Sequence, residues 1–348
     1  MLRLWPRSPM PRVRALVLAA GHGTRLRPLT LYAPKPLLPV VGEPIVGHTL
    51  RALSTFGCEA ALLNLHHLPH MLPAHLGKSW YGMPIDYSWE EEIQGTLGAL
   101  YPTRDFLAGA DAALLINGDS LCPWPLRALV RRHVRTGADV TLLVLARGPD
   151  AGLGGGIGVD RGGRVVQMRD MEAAGEVVSR HVFAGVHVLS PRILNRVEEG
   201  PGDIIGDFYQ PLLQEGAVIQ TLPTRRRWHD LGTPTRYLDA CLDQARGGWF
   251  RRRPAVSPLA RIDPGASAVG SVIEIGAEVA DGASIRDSVI LEGARIGAGS
   301  RIQRCIVGPE VQLPGSSEVE GRMINRYDKR HRVGETESIM GDLVYTPL

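Results

Sequence analysis

The sequence predicts an α/β fold with a mostly parallel sheet, followed by a smaller domain of short repeated strands. Three observations carry this prediction. Short apolar runs alternate with helix-length segments from Val13 to about Ala245, as a parallel sheet covered by helices requires. Gly247, Gly248 and the basic run 251–253 then interrupt this pattern. Beyond them, apolar residues recur at a fixed interval of 17 positions.

The first part contains four predicted buried strands and two predicted helices. The strands are short, β-rich apolar runs, which is typical of a parallel sheet covered on both faces: 13–19, 60–65, 112–116 and 140–145. The segments 44–56 and 125–136 have helical spacing, and each begins with a proline, which suits the first turn of a helix.

The second part repeats three apolar positions per 17 residues, spaced 6, 6 and 5 apart. The three sets are Val256, Ile273, Ile290 and Val307; Ile262, Val279, Ile296 and Leu313; and Ala268, Ile285, Ile302 and Val319. Three inward side chains per coil make a triangular prism with a turn at each corner. This pattern resembles the left-handed parallel β-helix of hexapeptide repeats, with about four coils over 254–320. The frequent glycines disfavour an amphipathic helix.

Five segments follow from these patterns. Residues 1–12 form a disordered extension without the apolar core of a signal peptide, and Met10 is an alternative start. Residues 13–245 form the first domain, 246–253 a linker, 254–320 the β-helix and 321–348 a C-terminal tail. We expect the first domain to fold without the repeats. We expect the repeats to serve assembly or regulation, and we expect the protein to be a homo-oligomer.

Composition excludes several classes of function. The net charge of +3 is too small to indicate a nucleic-acid partner, and no apolar run approaches the roughly 20 residues that span a bilayer. The four cysteines are far apart, which is typical of a reducing cytoplasm: Cys58, Cys122, Cys241 and Cys305. We therefore expect a cytoplasmic protein with no membrane or nucleic-acid partner.

A glycine-rich turn follows the first predicted strand. Ala19 and Ala20 lead into Gly21, Gly23, Thr24 and Arg25, and the glycines allow backbone N–H groups to approach a phosphate at a helix N-terminus. Ten residues later Lys35 stands between two prolines. Only three of the 39 basic residues are lysines, so this position favours a compact point charge over a guanidinium.

These two motifs, Leu18–Thr30 and Lys35–Val40, resemble those of the sugar-1-phosphate nucleotidylyltransferases. Members of that family join a nucleoside triphosphate to a sugar 1-phosphate and release pyrophosphate. The resemblance extends more loosely to about Ala245 and implies a Rossmann-like catalytic domain. It also implies that the turn from Ala19 to Arg25 binds the triphosphate, while Arg25 and Lys35 stabilise the departing pyrophosphate.

A magnesium site is expected at Asp119. It follows Asn117 and Gly118 at the end of a predicted strand, where open α/β sheets bind ligands, although the same residues suit a plain turn. The family places its metal-binding aspartate here and a second one in a motif matched by 228–233, which identifies Asp230. Only the resemblance pairs these two carboxylates. It also suggests Gly118 as a contact of the sugar phosphate.

The base and the sugar are less constrained. Glu90, Gly95 and Thr96 match the segment that reads the base, and a carboxylate suits guanine. Ala20, where some relatives have glycine, is commoner among uridylyltransferases. Gly185 lies in the matched sugar-site strand. The family's V-E-K-P lysine is missing, and Arg169 is the candidate replacement for holding the sugar phosphate.

The favoured activity is that of a mannose-1-phosphate guanylyltransferase with Mg²⁺. The alternatives are a uridylyltransferase acting on an N-acetylmuramate or N-acetylglucosamine 1-phosphate, and a non-catalytic subunit that binds nucleotide-sugar. Acyl transfer by the repeats is disfavoured because 254–320 contains no histidine. A zinc site is disfavoured because prolines interrupt the helix that the histidines would need: His66, His67, His70 and His75.

Overall fold

The structure is a computed structural model that describes residues 10–146, 156–248 and 254–348. The predicted disordered extension therefore lies outside the described residues up to position 9, as does most of the predicted linker. No helix within the described ranges is both long and apolar enough to cross a membrane.

The chain forms 28 short strands within the described ranges. The first group is β1 Val13–Leu18, β2 Pro39–Val40, β3 Glu43–Pro44, β4 Ala60–Leu65, β5 Ser79–Trp80, β6 Met83–Trp89, β7 Ala112–Asn117 and β8 Ser120–Leu121. The next is β9 Val140–Leu145, β10 Gly156–Val159, β11 Val165–Met168, β12 Ser179–Leu189, β13 Ile219–Thr224 and β14 His229–Asp230. The repeats follow as β15 Arg261–Ile262, β16 Ser267–Val269, β17 Val272–Ile273, β18 Glu278–Val279, β19 Ser284–Arg286, β20 Val289–Ile290, β21 Arg295–Ile296 and β22 Arg301–Gln303. The last are β23 Ile306–Val307, β24 Gln312–Leu313, β25 Glu318–Glu320, β26 Arg322–Arg326, β27 Ser338–Met340 and β28 Leu343–Pro347.

The α-helices are α1 Ile45–Phe56, α2 Met71–Leu76, α3 Gly95–Gly98, α4 Arg104–Ala108, α5 Leu126–Thr136, α6 Pro191–Leu194, α7 Gln210–Gln214 and α8 Pro234–Ala245. Three short 3₁₀ turns occupy Thr24–Leu26, Leu29–Leu31 and Lys35–Leu37, and a π-helical turn spans Ile204–Tyr209. The two helices predicted over 44–56 and 125–136 are confirmed as α1 and α5.

The chain divides into two compact units. The first, which we call the sheet unit, comprises Met1–Ala20, Thr49–Gly118 and Trp124–Trp228. The second, which we call the coil unit, comprises Gly21–His48, Asp119–Pro123 and His229–Leu348. The chain thus changes unit within the glycine-rich motif, between Ala20 and Gly21, and within the predicted magnesium segment, between Gly118 and Asp119.

The sheet unit is built on a ten-stranded mixed sheet. Its main path runs β11-β10-β12-β7-β1-β4-β6-β5, and β9 joins β12 to β13. The central strands β7, β1, β4 and β6 are parallel, so their carboxyl ends share one edge. The four predicted strands are β1, β4, β7 and β9, and their apolar side chains are buried as expected.

The coil unit contains the repeats as three stacked parallel sheets. Their strand orders are β15-β18-β21-β24, β16-β19-β22-β25, and β17-β20-β23-β26, the last of which continues into β28 and β27. Each rung pairs residues 17 apart, for example Ile285 with Ile302. The twelve predicted inward positions all belong to or pack against one buried cluster, so the β-helix prediction is confirmed. Corner residues with positive φ keep the same interval: Gly270, Asp287, Arg304 and Gly321; Gly276, Gly293 and Glu310; Gly282, Gly299 and Ser316.

A second apolar core covers the outside of the β17 sheet. It joins Val289 and Ile306 of the repeats to Leu26 and Leu29 of the 3₁₀ turns and to Tyr237 of α8. The Tyr237 hydroxyl donates to the carbonyl oxygen of Pro39 (2.6 Å). The repeats therefore complete the core under the segment that carries Arg25 and Lys35. This finding argues against the expectation that 13–245 folds without them.

Candidate functional site

The glycine-rich turn directly follows β1 and is held by the segment after it. Gly23 has a φ of 61°, and a Cβ at this position would lie 2.9 Å from Thr30 Cγ2 and 3.1 Å from Lys35 Cβ. The Thr30 hydroxyl donates to the Gly23 carbonyl oxygen (2.9 Å). Gly23 thus cannot carry a side chain without displacing its neighbours. A Cβ at Gly21 would meet nothing within 4 Å, which leaves that backbone open to a ligand.

The expected helix N-terminus after this turn is absent from the described chain. Thr24–Leu26 form a single 3₁₀ turn, because Arg27 is extended (φ −62°, ψ 143°) and Pro28 has no N–H to donate. The predicted contribution of a helix dipole is therefore wrong. Anion binding at the turn would depend on backbone N–H groups and on the exposed Thr24 and Arg25.

Lys35 and Asp119, predicted separately, form an ion pair. Lys35 is only 5% exposed, and its Nζ donates to Asp119 Oδ2 (2.7 Å). Pro34 and Pro36 flank Lys35, which begins a 3₁₀ turn, and the prolines restrict the backbone at this point. A buried ammonium against a partly exposed carboxylate is a strong local interaction, because less water screens it.

Asp230 also lies in the coil unit, at the end of strand β14. In the antiparallel pair β8–β14, Asp230 is opposite Ser120, the residue after Asp119. Of the two carboxylates that only a resemblance had paired, Asp230 is thus on β14 and Asp119 directly precedes its partner strand β8. Arg236, in the first turn of α8, donates to Asp230 Oδ2 (2.7 Å). A Cβ at Gly232 would lie 2.9 Å from Arg25 Nη2 and 3.0 Å from Asp230 Oδ1, so Gly232 leaves room for the guanidinium beside the carboxylate.

We call Arg25, Lys35, Asp119, Asp230 and Arg236 the charge cluster. Three cations and two carboxylates give these five side chains a net charge of +1, which favours anionic ligands. Mg²⁺ binds one or two carboxylates and completes its shell with water and substrate phosphate oxygens. The described residues contain no group of three or more His, Cys, Asp or Glu side chains placed to hold a metal. Two partly exposed carboxylates therefore fit magnesium held jointly with a phosphate, in competition with Lys35 and Arg236.

In the sheet unit, Asn64 connects the end of β1 to Glu90. The Ala19 N–H donates to Asn64 Oδ1 (2.7 Å), and Asn64 Nδ2 donates to Glu90 Oε1 (2.7 Å). Asn64 is 3% exposed, at the end of β4. Because a backbone N–H can only donate, the first bond fixes which end of the amide faces Glu90. The other oxygen of Glu90 accepts from the Gln94 N–H (3.2 Å).

Gly118 and Gly185 hold the ends of three strands close together. The Gly118 N–H donates to the Leu18 carbonyl oxygen (2.9 Å), and a Cβ at position 118 would lie 2.9 Å from that oxygen. Gly185 has a φ of 75°, and a Cβ added at this position would lie 2.7 Å from Asn117 Nδ2. Both glycines therefore have packing roles at the ends of β1 and β7. Their predicted contacts with a sugar phosphate stay predictions.

Gly95 and Thr96 pack against the segment 200–204. A Cβ at Gly95 would collide with the Gly202 carbonyl oxygen, and the Thr96 hydroxyl accepts from the Ile204 N–H (2.9 Å). Thr96 thus uses its oxygen to hold this segment, and its role towards a nucleotide stays a prediction. The Asp203 carboxylate belongs to the same segment and accepts from the Gly206 N–H (2.9 Å).

Arg169, the candidate for the missing lysine, forms an ion pair with Asp203. Burial raises the pKa of Asp203, but the Arg169 guanidinium and backbone N–H groups outweigh burial and lower it overall. Arg169 itself has a φ of 50°, a conformation that non-glycine residues seldom adopt. A sugar phosphate would have to compete with Asp203 for this guanidinium.

Two residues of these groups were missed by sequence analysis. Asn64 is a polar residue near the carboxyl end of an apolar run. Because open α/β sheets bind ligands at that end of their strands, its position is the one feature of the sequence that could have identified it. Arg236 follows Asp230 by six residues, and Thr233 at the start of α8 accepts a hydrogen bond from its N–H (3.4 Å). Neither the strand position of Asn64 nor the six-residue spacing of Arg236 from Asp230 by itself predicts a contact.

Sequence comparison decides which family has this site. The profile described as Nucleotidyl transferase matches residues 14–247. The chain belongs to the nucleotidyl transferase family. A second profile, described as GlmU-like, C-terminal hexapeptide, matches 255–338. The protein is therefore a nucleotidyltransferase that carries a hexapeptide β-helix after its catalytic part.

Several relatives of this nucleotidyltransferase have names that state an activity. It is similar to the mannose-1-phosphate guanylyltransferase of Mycobacterium tuberculosis, with 33% identity over 279 residues that cover 77% of each chain. The mannose-1-phosphate guanyltransferase of Pichia angusta is 32% identical over 234 residues, 66% of this chain and 64% of that protein. The fold is shared with HddC from Yersinia pseudotuberculosis, also solved in complex with GMP-PN, at a TM-score of 0.55 and 21% identity over 66% of this chain and 97% of HddC.

Proposed function

We propose that this nucleotidyltransferase joins a nucleoside triphosphate to a sugar 1-phosphate and releases pyrophosphate. The charge cluster carries the proposal, because it combines Arg25 and Lys35 with two carboxylates, one on β14 and one directly before its partner strand β8. A transfer between two anionic substrates needs this combination. The cations offset the repulsion, and the carboxylates hold the metal that both substrates share.

In the proposed reaction an oxygen of the sugar phosphate attacks the α-phosphorus in line. One phosphorus–oxygen bond forms, the bond between the α- and β-phosphates breaks, and pyrophosphate leaves with its electron pair. The attacking oxygen is already anionic at neutral pH, so the protein needs no covalent nucleophile. Its residues contribute position and charge: Arg25 and Lys35 donate to the leaving pyrophosphate, and backbone N–H groups of the turn hold the triphosphate.

Asp119 and Asp230 would hold Mg²⁺. When bound, the ion supplies positive charge to the phosphate oxygens at the reacting phosphorus. Lys35 and Arg236 hold the two carboxylates in place before substrates arrive. Lys35 then has a second acceptor available in the substrate phosphate, so loading the site exchanges one anionic partner for another.

The test is a matrix of nucleoside triphosphates against sugar 1-phosphates, scored by pyrophosphate release with and without Mg²⁺. We expect release only when a sugar 1-phosphate and the metal are both present. Equal release without the sugar phosphate would identify a pyrophosphohydrolase. No release with any pair would support the non-catalytic subunit.

We further propose GTP and mannose 1-phosphate as substrates. Glu90 supports guanine because a carboxylate held by Asn64 and the Gln94 N–H retains lone pairs for the N1–H and the exocyclic amine. Uracil offers one N–H and would place a carbonyl oxygen against the carboxylate. A mismatched buried polar group costs roughly 1–3 kcal/mol, about tenfold or more in selectivity. The relatives named mannose-1-phosphate guanylyltransferase also support this choice.

The base is tested by kcat/KM for GTP and UTP in the wild type and in Glu90→Gln. We expect the wild type to prefer GTP and the variant to lose most of that preference. A wild-type preference for UTP would favour the uridylyltransferase alternative, which Ala20 and the missing lysine support. An unchanged ratio in the variant would remove Glu90 from the base site.

Two further assignments rest on the sequence. We propose that Arg169 releases Asp203 to bind the sugar phosphate; Arg169→Ala should then raise the KM for the sugar 1-phosphate and leave the KM for the nucleotide unchanged.

We also propose that the protein is a homo-oligomer, which sedimentation velocity of the full chain tests. A monomer at micromolar concentration would contradict that assignment.

A further inference from the structure

A cavity of about 340 Å³ lies in the coil unit, apart from the charge cluster. It is lined by Tyr32, Glu292, Pro309, Glu310, Asn325 and Arg326. A second cavity of about 620 Å³ shares Glu310 and Arg326 with it and adds Arg295 and Asp342. None of these residues belongs to the charge cluster or carries a proposed role in the transfer.

The amide of Asn325 is the unusual feature of this cavity. Asn325 is 1% exposed, and neither its Oδ1 nor its Nδ2 has a hydrogen-bond partner among the residues that the structure describes. A buried polar group left unpaired destabilises the fold, because it has given up its hydrogen bonds to water. An amide with both of its polar atoms unpaired is therefore a costly choice at this position, unless another molecule supplies the partners.

The repeat shows that the fold itself does not require a polar residue here. Val307 pairs with Ile324, so Gly308 and Asn325 occupy equivalent positions in successive coils, and Leu291 occupies that position one coil earlier. Leu291 packs into the apolar core outside the β17 sheet. A Cβ at Gly308 would collide with Asn325 Oδ1, so the amide lies over a position that has no side chain.

The rest of the cavity suits a planar ligand. The Tyr32 ring is 39% exposed, and its hydroxyl donates to the Arg326 carbonyl oxygen (3.1 Å), which holds the ring at the cavity. Aromatic rings of this kind stack against nucleobases. Among the charged lining residues, Glu292, Glu310 and Arg326 sum to −1, which disfavours a polyphosphate and suits a neutral or weakly basic group.

We propose that this cavity is a second binding site, specific for the base of a nucleoside. The Asn325 amide has an unpaired donor and an unpaired acceptor, both sealed from solvent, and a base edge with an adjacent acceptor and donor pairs with both when the side chain turns towards the cavity. The Tyr32 ring stacks on the face of that base. Tyr32 lies three residues before Lys35, so a bound nucleoside would contact the segment that carries the catalytic lysine.

Isothermal titration calorimetry of the full-length chain with adenosine, guanosine, cytidine and uridine tests this proposal. We expect at least one nucleoside to bind, and its affinity to fall tenfold or more in Asn325→Leu, which copies Leu291, and in the exposed-ring variant Tyr32→Leu. Glu318→Gln, an exposed change on another face of the β-helix, is the matched control and should bind as the wild type does.

Three results would overturn the proposal. The first is that no nucleoside binds at millimolar concentration. The second is that Asn325→Leu and Tyr32→Leu both bind the nucleoside with the affinity of the wild type, each variant having been confirmed as folded by its melting temperature. The third is an affinity that falls in Glu90→Gln and stays unchanged in Asn325→Leu, because that result would assign the binding to the catalytic base site.

Discussion

The two units hold their functional residues by different means. In the sheet unit, Glu90 and Ala19 are fixed by one buried amide, Asn64, through short hydrogen bonds. In the coil unit, Lys35 and Arg236 are each paired with a carboxylate. The first group is rigid and has its partners within the fold. The second consists of charges that a phosphate or a metal ion can share.

This difference matches what each group is proposed to do. Reading a base requires acceptors whose position does not change on binding, because selectivity comes from mismatched partners. Neutralising a triphosphate requires cations that are already oriented but can exchange an internal anion for a substrate anion. Changes in the sheet unit should therefore alter selectivity, and changes in the coil unit should alter turnover.

The largest expected effect comes from removing the repeats. A chain ending at residue 253 lacks Val289, Ile306 and the rest of the apolar surface that covers Leu26 and Tyr237. We expect loss of activity and loss of amide protection in 21–48 and 229–245, while β1 and β7 stay protected. Hydrogen exchange of the full and truncated chains measures this. Retained protection in 21–48 would show that the catalytic segment folds without the β-helix.

Asp119→Asn should have the next largest effect. The amide keeps the shape of the side chain but loses the charge that pairs with Lys35 and would hold the metal, so we expect kcat to fall by about 10²–10³. Because the new amide oxygen can still accept from Lys35 Nζ, we expect the loss of the ion pair to lower the melting temperature only modestly. Asp105→Asn, at a highly exposed carboxylate, is the matched control. Retained activity with a lower melting temperature would make Asp119 a turn residue.

Asn64 should affect selectivity more than turnover. Asn64→Asp can still accept from the Ala19 N–H but no longer donates to Glu90, and it places two carboxylates together. We expect the KM for the nucleotide to rise about 10–100-fold, in line with about 1–3 kcal/mol for a lost hydrogen bond to a charged group, and kcat to change less. Asn64→Leu removes both bonds. An equal fall in kcat for both variants would contradict a role confined to the base.

The repeats and central strands could be predicted because each is a periodic signal in which many residues agree. The 17-residue interval identified twelve positions that belong to or pack against the core of the β-helix, and the apolar runs identified β1, β4, β7 and β9. The prediction of a helix after the glycine-rich turn was wrong because the chain forms only a three-residue 3₁₀ turn before Pro28. Asn64 and Arg236 escaped detection because a contact between single polar residues, made through tertiary structure, leaves no period in the sequence.

The smallest expected effect is the response of the sheet unit to pH. Burial lowers the pKa of His187 to about 3 and that of His133 to about 4, from an ordinary value near 6.5. His187 Nδ1 and the Tyr209 hydroxyl are 2.7 Å apart in a hydrogen bond, and burial of the ring favours its neutral form. Between pH 6.5 and about 4 the unfolded chain binds protons at both rings that the folded chain does not. Stability is therefore complete above pH 6.5 and falls with pH, by about 1.4 kcal/mol per unit for each histidine once below 6.5.

Urea unfolding of the wild type and of His187→Gln at pH 7.5, 6.0 and 5.0 measures this slope. We expect the variant to be less stable at pH 7.5, because glutamine fills less of the buried space, but to lose stability less steeply as the pH falls. His75→Gln, at an exposed ring, is the control and should keep the wild-type slope. The charge cluster contains no histidine, so this acid sensitivity should appear in probes of β12 and β7. Equal slopes in all three proteins would mean that His187 takes up its proton at the same pH in the fold as in the unfolded chain, which its burial opposes.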